Sequence, residues 1–261
     1  MPIFAANISM LFTEVPFMER FALARKNGFS YVEYLFPYDF SAEAIKRQLE
    51  TNGLRQVLFN IPSGNWAEGD RGIAANPNRI EEFRAGVHRA IEYSLTLGVS
   101  QLNCQPGKKL AGCNEAKQWS TLVENVRYAA GLLQEKGIKL LIEPLNHFDI
   151  PGVFVNRTEQ ALKLIEEVNQ PNVFIQYDIY HAQRVEGELA ATLRKYIKQI
   201  SHIQIADNPG RHQPGTGEIN FPYIFKEIDA MGYQGYIGLE YVPSSESESS
   251  LSWITEYGYK L

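Results

Sequence analysis

Four oxygen donors stand at the ends of short apolar runs in the second half of the sequence. Glu143 follows Lys139-Leu140-Leu141-Ile142, Asp178 follows Ile175-Gln176-Tyr177, Gln204 lies within His202-Ile203-Gln204-Ile205, and Glu240 follows Ile237-Gly238-Leu239. Three carboxylates gathered at one buried place could not all stay ionised without a cation, because like charges raise one another's pKa. A set made only of oxygens suits a hard cation such as Mg²⁺ or Mn²⁺, whereas zinc usually recruits His or Cys. Any one of these acids alone is adequately explained as the partner of an Arg or Lys. Four donors closing successive runs favour a single divalent cation held by Glu143, Asp178, Gln204 and Glu240.

Two of the donors, Glu143 and Glu240, end the fifth and eighth apolar runs. In a closed barrel these would lie on roughly opposite sides of the mouth and could flank a small molecule. A pair of carboxylates beside two adjacent carbons is what a 1,2-proton shift requires, one removing a proton and the other returning one. A cation holding the neighbouring carbonyl and hydroxyl oxygens would stabilise the enediolate between the two steps. Ligation weakens a carboxylate as a base, but the same cation acidifies the C–H, and the second effect is expected to dominate because charge develops on the ligated oxygens.

Other side chains are candidates for holding such a substrate. His181, three residues after Asp178, could donate to a substrate oxygen or simply bond a neighbouring loop. His147, in the long segment after Glu143, could touch substrate or water alone. An acid substrate needs a cation for its carboxylate, and Arg71, Lys108 and Arg211 fall in the connecting segments that would carry one. Asn7, Glu33 and Asn60 lie on or at the ends of the first three runs, with Glu33 and His202 expected to support a ligand rather than be one. Trp66 could cap the site or pack on its rim, and His88 belongs to an amphipathic helix surface.

The elements that must position these residues alternate from end to end. Short apolar runs at Phe4–Ile8, Tyr31–Leu35, Gln56–Asn60, Gln101–Cys104, Lys139–Glu143, Val173–Asp178, His202–Ile205 and Tyr236–Tyr241 are separated by longer amphipathic stretches. That alternation is the mark of repeated βα units, and eight of them without a linker predict an α/β fold, a (β/α)₈ TIM barrel, as a single domain over residues 1–261. Glycines at 28, 53, 98, 137 and 232 close the helical stretches, and Asn156 with Glu159 has capping-box spacing at the start of a helix reaching about Val168. An open doubly wound sheet is the competing architecture, but neither GxGxxG nor GxxxxGK[ST] occurs. The segments 61–78 and 144–155 are long for βα connections and are expected to serve function.

The chain of 261 residues carries a net charge of -5 with both signs interspersed, which disfavours a nucleic-acid partner. No apolar stretch approaches the ~20 residues that cross a bilayer, so no membrane association is expected. The opening residues Met1 to Ala5 lack a basic segment ahead of an apolar one, so no export signal is expected. The two cysteines, Cys104 and Cys113, form no CxxC pair, and free thiols in a reducing cytoplasm are the plain reading. The partner would be a small molecule; a homo-oligomer is compatible with the composition.

Several segments carry a resemblance. Phe4-Ala5-Ala6-Asn7-Ile8-Ser9-Met10-Leu11-Phe12, Phe36-Pro37-Tyr38-Asp39, Ile142-Glu143-Pro144-Leu145-Asn146-His147-Phe148-Asp149-Ile150-Pro151-Gly152, Gln176-Tyr177-Asp178-Ile179-Tyr180-His181 and Gly217-Glu218-Ile219-Asn220 resemble the hydroxypyruvate isomerase family nearly end to end. That family belongs to the xylose-isomerase-like TIM barrels, with tagatose epimerases and endonuclease IV. The resemblance implies conversion of hydroxypyruvate, a hydroxy-keto acid, to tartronate semialdehyde. It also implies proton transfer by Glu143 and Glu240, one divalent cation on Glu143, Asp178, Gln204 and Glu240, and a place in glyoxylate and carbohydrate-acid metabolism. A sister group, the 2-oxo-tetronate isomerases, shares nearly all these motifs; Thr13-Glu14-Val15-Pro16-Phe17 is similar to the sister and the 146–152 segment to the first. A ketose epimerase and a metal-dependent nuclease of the same superfamily are more distant alternatives.

Overall fold

The strands are brief and largely buried on both faces, most of them rich in aliphatic and aromatic residues, as a parallel sheet covered by helices demands. In the computed structural model, residues 2–261 are described; Met1, the first residue of the stretch read for an export signal, lies outside them. The strands are β1 (Ile3–Asn7), β2 (Tyr31–Glu33), β3 (Arg55–Asn60), β4 (Gln101–Cys104), β5 (Lys139–Ile142), β6 (Val173–Asp178), β7 (Ile200–Ile205) and β8 (Tyr236–Leu239). The helices are α1 (Arg20–Lys26), α2 (Ala42–Asn52), α3 (Ile80–Leu97), α4 (Glu115–Gln134), α5 (Thr158–Val168), α6 (Ile179–Val185), α7 (Leu189–Tyr196), α8 (Phe221–Ala230) and α9 (Ser252–Glu256). Hydrogen bonding follows chain order from β1 to β8, and β8 pairs in parallel back to β1 through Ile3–Tyr236 to Ala6–Leu239, the closed (β/α)₈ order expected from the alternation.

Several boundaries read from the sequence shift by one or two residues, three of them near the site residues or their helices. Glu143 and Glu240 stand one residue beyond β5 and β8 instead of ending them, because the ladder stops where the chain turns into loops. Helix α5 does reach Val168, but Arg157 and not Asn156 is its N-cap. Gln160, rather than Glu159, closes the start, its Oε1 accepting from the backbone N–H groups of Asn156 and Arg157 at 2.9 and 3.2 Å. An amide oxygen serves this reciprocal cap as well as a carboxylate does, so the spacing alone left the register open by one residue.

The chain packs as two compact units: Met1–Val57 with Tyr177–Leu261, and Leu58–Gln176. In the first, β1, β2, β7 and β8 pair, with Ile203 opposite Ile237 and Gln204 opposite Gly238. Phe4, Phe225, Trp253 and Tyr259 interlock beneath them, Phe4 meeting Phe225 and Trp253 edge-on at 5.7 and 5.4 Å. Such edge-to-face pairs add about 1 kcal/mol each beyond area burial. In the second unit, β4 lies beside β5 with Asn103 opposite Leu141, and α3, α4 and α5 pack in sequence order.

The loops within each unit are held by different devices. In Leu58–Gln176, the backbones after β3 and β4 approach so closely that a Cβ on Gly72 would lie 2.1 Å from the Gln105 carbonyl oxygen, and Gly72 has φ +106°. Only glycine satisfies both demands. In Tyr177–Leu261, the loop after β7 wraps the buried Asp207. Its Oδ1 accepts from the N–H groups of Asn208 and Ile219, and its Oδ2 from those of Gly215 and Gly217, at 2.9 to 3.1 Å.

Candidate active site

Asp178 is both the last residue of β6 and the N-cap of α6. Oδ1 accepts from the Tyr180 N–H at 2.8 Å, which turns the strand into the helix and commits one oxygen of the carboxylate. The other, Oδ2, is buried, takes no hydrogen bond among the described residues, and lies 3.5 Å from His181 Nε2 and 3.8 Å from Arg211 Nη2. Burial raises the Asp178 carboxyl above its usual range, against the pull of Arg211 and of the Tyr180 and His181 N–H groups. The spacing Asp178-x-x-His181 across the first helical turn brings the imidazole back over the carboxylate.

Glu240 is also buried. Asn7 Nδ2 donates to its Oε1 at 3.2 Å and Arg211 Nη2 to its Oε2 at 2.7 Å. Burial pushes the Glu240 carboxyl up to about 8; Arg211 opposes the rise, while the charges of Asp178 and Glu33 add to it. Burial also drives the His181 imidazole well below its ordinary value, reinforced by Arg211 and Arg184, so the ring is neutral and offers a lone pair. Asp178, His181 and Glu240 each present a ligand atom, all within 4.8 Å of one another. A buried Glu/Asp/His group of this kind could bind a metal ion.

The sequence left His181 open between a substrate oxygen and a neighbouring loop; the structure sets its ring among the carboxylates. Arg211 reaches them because its loop is built for it. Its backbone is left-handed at φ 56°, its N–H bonds the Asp207 carbonyl at 2.9 Å, and its own carbonyl accepts from the Val242 N–H at 2.9 Å. Tyr180 lies between two guanidinium groups, Arg211 5.1 Å and Arg184 5.6 Å from its ring centre, with Arg184 Nη1 donating to its hydroxyl at 2.8 Å. Arg184 and Asp207 escaped the sequence reading; neither ends a strand, and only the loop path reveals what they support.

Gln204 and Asn7 converge on one acid. Glu33 Oε1 accepts from Asn7 Nδ2 at 3.0 Å and from Gln204 Nε2 at 2.7 Å, and His202 Nε2 stands 2.6 Å from its Oε2. Glu33 and His202 are both fully buried.

The remaining candidates lie in the unit Leu58–Gln176. Glu143 is buried, and Asn103 Nδ2 donates to its Oε2 at 2.8 Å. Asn103 was missed by the sequence reading, although a polar residue inside Gln101–Cys104 is the signal that could have found it. Asn60 ends β3, buried, in register with Asn103. Arg71 folds onto its own loop, 4.0 Å from the Trp66 ring and bonded to the Trp66 and Asp70 carbonyls. Lys108 donates to the Gly69 carbonyl at 2.8 Å, and His147 is exposed with its ring 4.2 Å from that of Phe148. The free thiols expected of Cys104 and Cys113 are found.

Residues 21–257 match the family description xylose isomerase-like TIM barrel. The chain belongs to that family. Among members of known activity it is similar to hydroxypyruvate isomerase of Escherichia coli (strain K12), at 52% identity over 97% of this chain and 98% of that protein. It is also similar to 2-oxo-tetronate isomerase of Cupriavidus necator, at 43% identity over 98% of this chain and 99% of that protein. A crystal structure of AP endonuclease, family 2, from Brucella melitensis superposes with a TM-score of 0.96 at 46% identity, covering 98% of this chain and 99% of that one. Xylose isomerase-like barrels so close in sequence share their architecture throughout, and no helix among the described residues is long and apolar enough to cross a membrane.

Proposed function

We propose that this chain interconverts hydroxypyruvate and tartronate semialdehyde by moving a proton between neighbouring carbons through an enediolate, as an aldose–ketose type isomerase. The observation that carries the reading is the buried group of Asp178, His181 and Glu240 within 4.8 Å, in a chain 52% identical to a hydroxypyruvate isomerase. Glu143, standing just past β5 as Glu240 does past β8, is the proposed second proton carrier and joins Asp178, Gln204 and Glu240 as a ligand of one divalent cation, Mg²⁺ or Mn²⁺. The residues fit such an ion: Asp178 Oδ2 is buried without a hydrogen-bond donor, and His181 is neutral. When bound, the cation supplies Lewis acidity to the substrate's paired oxygens and so lowers the pKa of the C–H between them.

The chain's own residues do the rest. Glu240 can return a proton, and Arg211 at 2.7 Å stabilises its carboxylate once the proton has left. Glu143 takes the proton in the same direction, and the two exchange roles in reverse. Arg211, with Asn7 and His181, is the proposed contact for substrate oxygens, and Asn60, Arg71, Lys108 and His147 are further proposed contacts. The whole chain serves as one catalytic domain of a cytoplasmic enzyme whose partner is a small hydroxy-keto acid and not a nucleic acid.

A second reading has its own support: the 43% identity to a 2-oxo-tetronate isomerase fits the same proton transfer on an acid one carbon longer. Turnover with Mn²⁺ in D₂O decides between them. Higher kcat/KM on hydroxypyruvate, with solvent deuterium in the product, supports the first reading. Comparable or higher efficiency on the four-carbon acid replaces it with the second, and full retention of the substrate hydrogen removes the solvent-exchanging proton carrier from both.

A further inference from the structure

The Glu33 carboxylate sits at a junction of three side chains and a glycine, all in the unit that contains β1, β2, β7 and β8. It is fully buried, accepts from Asn7 at 3.0 Å and Gln204 at 2.7 Å, and faces His202 at 2.6 Å. Asn7 spends the same amino group on Glu240, at 3.2 Å. A buried carboxylate costs several kcal/mol unless donors surround it, so a position that gives it two amide donors and an imidazole neighbour has a use beyond packing.

We propose that Glu33 is a positioning residue that decides which end of the Gln204 amide serves the cation. Rotating a glutamine side-chain amide by half a turn exchanges an acceptor oxygen for an NH₂ group of nearly the same shape, and the NH₂ cannot ligate a cation. A carboxylate oxygen accepts, so Glu33 takes the NH₂ end of Gln204, as the 2.7 Å bond shows, and turns the carbonyl-oxygen end of the amide away from itself. An outer carboxylate that orients a ligating side chain is worth 10- to 100-fold in metal affinity. Through Asn7 the same carboxylate also fixes one oxygen of Glu240.

Gly238 is an independent mark of the same device. Its φ is not in the left-handed region, so the backbone does not call for glycine. Space does: a Cβ there would fall 2.3 Å from Glu33 Oε1 and 2.4 Å from Oε2. Gly238 sits opposite both Gln204 on β7 and Ala5 on β1, and the missing side chain is the room in which the Glu33 carboxylate lies between the strands.

The inference rests on the metal-binding reading, and its test measures Mn²⁺ binding directly, by electron paramagnetic resonance titration without substrate. Glu33→Gln restores a donor where only acceptors stood and lets the Gln204 amide turn over; Mn²⁺ affinity should fall 10-fold or more. Gln204→Glu alone sets two carboxylates against each other and should weaken binding as well. Combined, Glu33→Gln with Gln204→Glu rebuilds an amide donor facing a carboxylate and should recover most of the affinity, a rescue that a merely structural role would not produce. Gly238→Ala, which presses on the same carboxylate, should weaken Mn²⁺ binding in the same direction while leaving a folded circular dichroism spectrum.

Mn²⁺ affinity of Glu33→Gln within about twofold of the parent overturns the proposal, and so does strict additivity in the double variant. Should Glu33→Gln fail to fold, the double variant and Gly238→Ala carry the decision: parent-like affinity in Gly238→Ala, or no binding by a folded double variant, overturns it. A parent chain that binds no Mn²⁺ overturns both this and the metal reading, whereas a parent that binds with Glu33→Gln unaffected sinks this inference alone.

Discussion

The two glutamates proposed to carry protons stand in contrasting company. Glu240 belongs to a unit where charge answers charge: a guanidinium at 2.7 Å, a second acid in Asp178, a third in Glu33, and an imidazole kept neutral beside them. Glu143 belongs to a unit where the neutral amide of Asn103 donates to it at 2.8 Å. The loops repeat the contrast. The loop after β7 hangs from the carboxylate of Asp207, and the loop after β3 rests on backbone pressed against backbone at Gly72 and Gly107. One side of the machinery is tuned by ionisation and the other by shape, so pH and salt should act mainly on the first and steric substitutions on the second.

The sharpest break comes from the acids themselves. Glu240→Gln and Glu143→Gln should each lower kcat by about 10²- to 10⁴-fold, the usual worth of a proton carrier, with the fold retained. Steady-state kinetics on hydroxypyruvate check this, and wild-type kcat in either variant removes that residue from the proposed mechanism. Only Glu240→Gln should also flatten the pH dependence described next.

In the metal-free protein, Glu240 keeps its proton up to about pH 8, while in the unfolded chain it releases it near 4.5. Between those values the folded state binds more protons than the unfolded, so this group makes stability fall as pH rises. Melting temperatures taken from pH 5 to 8 should therefore decline, and Mn²⁺ should restore more at pH 8 than at pH 5. Arg211→Met, which strips Glu240 and Asp178 of their guanidinium, should cost about 3 kcal/mol at pH 8 and less at pH 5. A cost independent of pH would erase the contrast between the two units.

Smaller effects separate the loops. Asp207→Ala strands four backbone N–H groups and should destabilise by about 2 kcal/mol with a loss of kcat through Arg211. Gly72→Ala should cost a similar amount from its backbone conformation and the contact with Gln105, with no pH dependence. Urea denaturation at two pH values reads both. The least effect belongs to His147→Ala, at an exposed site, where stability should stay within about 0.5 kcal/mol and any contribution should appear in KM alone.

Much of the proposed site was legible because a parallel barrel turns sequence position into location. Strand ends named Glu143, Asp178, Gln204 and Glu240, and the two-residue step from His202 to Gln204 placed both on a buried face, as found. Arg71, Lys108 and Arg211 looked alike as loop cations. Only the loop paths separate them, since Arg71 is bonded to carbonyls of its own loop and Lys108 to the Gly69 carbonyl of the loop after β3, while Arg211 reaches two buried acids.

What the sequence by itself determined is the order and type of the elements, because hydrophobic period, glycine stops and strand-end acids are local properties that each segment carries alone. The tertiary structure alone decided which atoms of those acids meet. The neutral ring of His181 over Asp178, the guanidinium of Arg211 on Glu240 and the hold of Glu33 on Gln204 join residues up to 171 positions apart. Burial, which sets their charge, exists only after the chain has closed around them.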